Sequence, residues 1–141
     1  MAHHAAYDGL ETAQESQLRT EAEREETLRK ALELLGDQSR FEDEIIKKPD
    51  TAAEAIQLLD EEQTAVAFRH TPTKGPECGK HFIIFSNASL FRLLKRVNMD
   101  ELLFDAFKKR AVAMGLLSKK SWPVKIGDTN FSGFWIGDEK F

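Results

Sequence analysis

"HFIIFSNASLFRLLKRVNMDELLFDAFKKRAVAM", residues 81–114, decides how the rest of the chain is read. "HFIIFS" is apolar and β-favouring, so it reads as a strand, and Ser86 or Asn87 is placed to cap a helix over "ASLFRLLKRV". Leu90, Phe91, Leu94 and Val97 recur at helical spacing and are expected to face inward, which leaves Arg92, Lys95 and Arg96 outside. "NMD" is a tight break. Asn98 is expected to cap a second helix, "ELLFDAFKKRAVAM", in which Leu103, Phe107, Ala111 and Met114 form a stripe that ends at Gly115.

Working outward, "TAVAFRH" (residues 64–70) is again strand-like, and "TPTKGPECGK" (71–80) holds two Pro and two Gly. Together with residues 81–86 they predict a hairpin with a long tip. Downstream, "WPVKI", the turn "GDTN" and "FSGFWI" predict a second hairpin, in which Gly133 between aromatics calls for a bulge or a close backbone approach. The order from residue 63 onward is therefore strand-strand-helix-helix-strand-strand. Two successive helices followed by a twisted hairpin is the plan of a winged helix-turn-helix.

Residues 1–62 read differently. A long helix is expected over 10–35, with a thin stripe of Leu18, Ala22, Leu28, Leu32 and Leu35, and a stop at Gly36. "RFEDEIIKKPD" (40–50) predicts a short helix ended by Pro49, with Phe41 and Ile45 inward. "DTAAEAIQLLDEE" predicts another, capped by Asp50 and burying Ala52, Ala55, Ile56 and Leu59. The expected fold is α+β: an acidic helical region or arm over 1–62 and a winged-helix-like basic module over 63–141.

"HFIIFSNASLF", "FKKRAVAMGLLSKK" and "FSGFWIGD" carry a resemblance. Residues 64–138 resemble the small winged-helix modules at the ends of phage and plasmid primase-helicases and conjugative relaxases. That resemblance implies a second helix and a wing presented to nucleic acid, in replication, DNA transfer or regulation. The acidic N-terminal helices have no counterpart in it.

Charge supports the same division. The 141-residue chain has a formal net charge of -4. Residues 1–67 hold 17 acids against 7 Lys or Arg, a net of -10, whereas residues 68–141 hold 7 acids against 13, a net of +6. Phosphate contacts need long cations along a shared surface, and Lys108, Lys109 and Arg110 on the second helix are the first candidates. Lys119 and Lys120 at the turn and Lys125 on the wing extend the set, followed by Arg92, Lys95 and Arg96 on the preceding helix. Three consecutive cations span about 200° of a helix, so they cannot all meet one groove; Arg110 is expected at the boundary. No Asn, Gln or Ser sits among them to read base edges, which points to binding that is largely indifferent to sequence, with duplex or single strand left open. The alternative is a protein-interaction or assembly module that docks a partner through its acidic helices.

Other chemistry is disfavoured. His70, Cys78 and His81 fall in one loop, and Cys-x2-His is ligand spacing, yet a closed zinc site wants four ligands, so no metal and no cofactor is expected. "CGK" lacks the spacing of a phosphate loop. The acid pairs Glu25/Glu26, Asp43/Glu44 and Glu61/Glu62 read as solvated helix faces, and no catalytic residue is assigned; the protein is not expected to be an enzyme. One cysteine, no apolar run of about 18 residues and no signal-like start lead to the expectation of a cytoplasmic protein with no membrane partner.

Overall fold

Phe82–Phe85 forms a central strand because both of its faces are covered. Ile83 and Phe85 enter one apolar cluster, while Ile84, with Phe82 at its margin, enters a second. A computed structural model describes residues 19–118 and 122–138. Within them lie helices α1 (Glu21–Gly36), α2 (Ala52–Ile56), α3 (Asn87–Leu94) and α4 (Glu101–Ala113). The strands are β1 (Ile45–Ile46), β2 (Ala67–His70), β3 (Phe82–Phe85), β4 (Trp122–Ile126) and β5 (Thr129–Gly137). The fold is α+β, with one five-stranded sheet in the order β1-β2-β3-β5-β4.

Three antiparallel pairings build most of the sheet, and β1 joins β2 in parallel through Ile45 opposite Ala67. This corrects the expectation of a short helix over 40–50. Two 3-10 turns, Gln38–Arg40 and Glu42–Glu44, carry the chain instead into an extended Ile45–Ile46. β-branched residues favour the pleated edge, and Phe41 still faces inward, packing edge-on against Phe85 with centroids 5.9 Å apart.

Helices α1, α3 and α4 cover one sheet face. Leu28, Ala31, Leu34 and Leu35 of α1 share a single core with Phe85, Leu90, Leu93, Leu94, Phe104 and Phe107. From Thr20 onward the N-terminal helix is therefore docked, and it starts with a capping box between Thr20 and Glu23. Residues 10–18 of the expected helix lie outside the described residues. The opposite sheet face is covered by α2 and the turn after it, where Ala52 and Ala55 of α2 and Leu59 beyond it join Phe68, Ile84 and Phe131 in one core. Thr51 rather than Asp50 caps α2, and Ile56 is turned outward.

Local signals at the two central helices are partly as read. Ser86 caps α3 reciprocally with Ser89, and Leu90 and Leu94 are buried as expected, along with Leu93. Asp100, not Asn98, caps α4, through Leu103 N–H at 3.0 Å. Asn98 instead takes a left-handed conformation that ends the preceding 3-10 turn. Helix α4 gives way at Gly115, whose φ of 76° suits a residue without Cβ, but Met114 is 63% exposed and leaves the inward stripe. Gly133 makes the close approach foreseen: a Cβ there would lie 2.5 Å from Ile84 Cγ2 and 2.8 Å from the Phe85 carbonyl.

Candidate nucleic-acid interface

The cations expected to form one free surface meet different fates. Arg92 is turned inward and donates to the carbonyls of Leu59 and Ala65, both at 2.7 Å. The Leu59 carbonyl belongs to the π-helical turn Gln57–Glu61 that continues α2, and Ala65 lies just beyond it, so Arg92 clamps an irregular backbone. Arg96 forks onto Glu44 at 2.5 and 2.6 Å, and Arg110 onto Glu25 of α1 at 2.8 and 3.0 Å. The hydrogen bonds from Arg110 hold the Glu25 carboxyl below the usual range and raise the guanidinium in turn.

Lys108 lies along apolar surface, with its ammonium 4.4 Å from the Phe104 ring centre, 3.2 Å from Asn87 Oδ1 and 3.6 Å from Asp105. Lys95 reaches over Phe91 at 5.3 Å. Lys109 and Lys125 are exposed and make no ion pair among the described residues. Lys119 and Lys120 lie outside the described residues. The seven described candidates thus do not share one open face; two of the guanidinium groups are engaged by acids from the first half of the chain.

A different surface gathers cations that make no ion pair among the described residues. Lys48 follows β1, Lys74 sits in the β2–β3 connection and Lys125 belongs to β4, and all three line one groove of about 400 Å³ that no carboxylate among the described residues lines. Its wall includes His70 and Trp135. A second groove of about 270 Å³ adjoins it, lined by Phe82, Arg69 and Asp138 as well, and the two share Lys48, His70 and Thr71. Asp138 adds no free charge there, because Arg69 holds its buried carboxylate at 2.5 Å.

His70, weighed in the sequence only as a metal ligand in a loop, instead ends strand β2 and lines both grooves. It is 9% exposed, lies edge-on to Trp135 with ring centres 5.2 Å apart, and its Nδ1 finds no hydrogen-bond partner among the described residues. Burial, and then repulsion from Lys48, push its pKa down to about 4, so the ring is neutral at pH 7. Burial also lowers the Lys48 ammonium. The signal available was the β-strand alternation that puts His70 on the same sheet face as Phe68, beside Pro-flanked loops carrying lysines.

Cys78 is exposed, and His81 Nδ1 bonds the Thr71 hydroxyl at 2.8 Å. Among the described residues, no three His, Cys, Asp or Glu side chains gather as a metal site would need. None of their helices is long and apolar enough to cross a membrane. Comparison with protein-family models, curated proteins and solved structures finds no match to this chain.

Proposed function

We propose that this is a non-enzymatic, cytoplasmic nucleic-acid-binding accessory protein, largely indifferent to sequence, acting in replication, DNA transfer or regulation. The winged-helix-like reading is supported by the run β3-α3-α4-β4-β5 with β5 paired between β3 and β4. The observation that carries the proposal is the groove lined by Lys48, Lys74 and Lys125 from three separate segments, with no carboxylate among the described residues that line it. Unpaired ammonium groups on one concave surface are what a phosphate backbone recruits, and they carry no base information.

A salt-dependent binding titration with DNA oligonucleotides tests it. With three phosphates neutralised, affinity should fall roughly 20- to 40-fold between 50 and 200 mM salt. Reversing Lys48, Lys74 and Lys125 to Glu should abolish binding, whereas reversing Lys108 and Lys109 should weaken it far less. No binding at low salt would overturn the proposal. A second reading, a protein-interaction or assembly module, is supported by Leu102 and Met114, which are 49% and 63% exposed on α4. It predicts unbound DNA together with a partner complex seen by sizing.

A further inference from the structure

The two adjoining grooves have a shape that a uniform cationic patch lacks. Lys48, His70 and Thr71 form the saddle between them, and each basin has its own partly buried aromatic ring, Phe82 in the smaller and Trp135 in the larger. The two rings are 5.0 Å apart between centres, on the sheet face that also carries Phe68 and Ile84. A charge at the saddle with an apolar ring on either side matches a phosphodiester flanked by two bases. A base paired inside a duplex has both faces stacked already and presents none to such a ring.

We propose that this groove is a single-strand site in which one phosphodiester sits over Lys48 and His70 while its flanking bases lie against Trp135 and Phe82. The inference rests on the nucleic-acid reading above and deepens it by choosing single strand over duplex. His70 lines both grooves, and its buried Nδ1 has no hydrogen-bond partner among the described residues. Turned toward the groove, the neutral ring donates its N–H to a phosphoryl oxygen. Lys48 supplies the charge, and the Thr71 hydroxyl adds a neighbouring donor or acceptor. The other charged groups facing this saddle are Lys74 and Lys125 in the larger basin, with His81 and the Arg69–Asp138 pair in the smaller. Among the described residues only one of them is an acid, and its carboxylate is held by Arg69.

The chain has two tryptophans. In a Trp122→Phe variant, emission therefore reports Trp135 alone. Titrating this full-length variant with a ten-residue oligothymidylate at low salt should quench that emission. A ten-base-pair duplex should leave it unchanged and bind about tenfold or more weakly. Lys48→Gln, an exposed substitution, should weaken the oligothymidylate several-fold, and His70→Gln should do the same. Equal affinity for both oligonucleotides with unmoved Trp135 emission would overturn the single-strand site while leaving a general polyanion surface standing. Binding of neither would overturn both. Loss of affinity on reversing Lys48, Lys74 and Lys125 to Glu, with no effect of Lys48→Gln or His70→Gln, would remove the saddle from the account.

Discussion

His70 is held in the protonation state that solvent at mildly acidic pH would not give it. Its folded pKa of about 4 lies below the ordinary 6.5, so between those values the unfolded chain binds a proton that the folded chain refuses. Stability from this group is complete above about pH 6.5 and is lost as pH falls toward 4, by at most about 3 kcal/mol. Denaturant melts from pH 7 to pH 4 should show that decline, and a His70→Gln variant should flatten it. Gly133 makes a steric prediction of its own. Alanine there would press a methyl against Ile84 Cγ2 and the Phe85 carbonyl, where backbone cannot yield cheaply. A loss of about 1–3 kcal/mol is expected, read as a lower denaturation midpoint. That close approach was legible because a small residue stands alone among aromatics. The capping residue of α4 was less legible, since Asn98 and Asp100 both accept amides well and only backbone geometry separates them.

Helix α1 shows what burial does for an otherwise polar segment. Half of its residues are charged, yet Leu34 and Leu35 are almost fully buried against the central helices. Leu34→Ala should cost about 2–5 kcal/mol in a chemical melt, far more than helix propensity alone could explain. The π-helical turn after α2 depends on Arg92 in a comparable way. Arg92→Met keeps the apolar stem but strands the carbonyls of Leu59 and Ala65, at about 1–3 kcal/mol, with faster amide exchange across residues 57–65. Elements from β2 to β5 were legible because their periods are clean and their caps and turns fall between them. Strand β1 was not. Two residues carry no period, and parallel pairing to a strand more than twenty residues away leaves no local mark.

Across the whole molecule, the acidic and basic halves interlock rather than stand apart. Arg110 meets Glu25 across 85 residues of chain, and Arg96 meets Glu44 across 52. Sequence separations of that size hide such pairs from any reading of charge runs, so the basic stretch around 108–110 looked more available than it is. The groove was hidden for the same reason: Lys48, Lys74 and Lys125 come from three segments and meet only through the sheet. The order of the sheet also governs how copies of the chain meet one another. Its two flanks are β1, two residues long and running into Lys47, Lys48 and Pro49, and β4, interrupted by Pro123, which has no amide hydrogen to offer. Neither flank presents an uninterrupted ladder for a neighbour to extend, so the fold carries its own brake on fibrous growth, and Pro123→Val is expected to release it as rising light scatter on concentration.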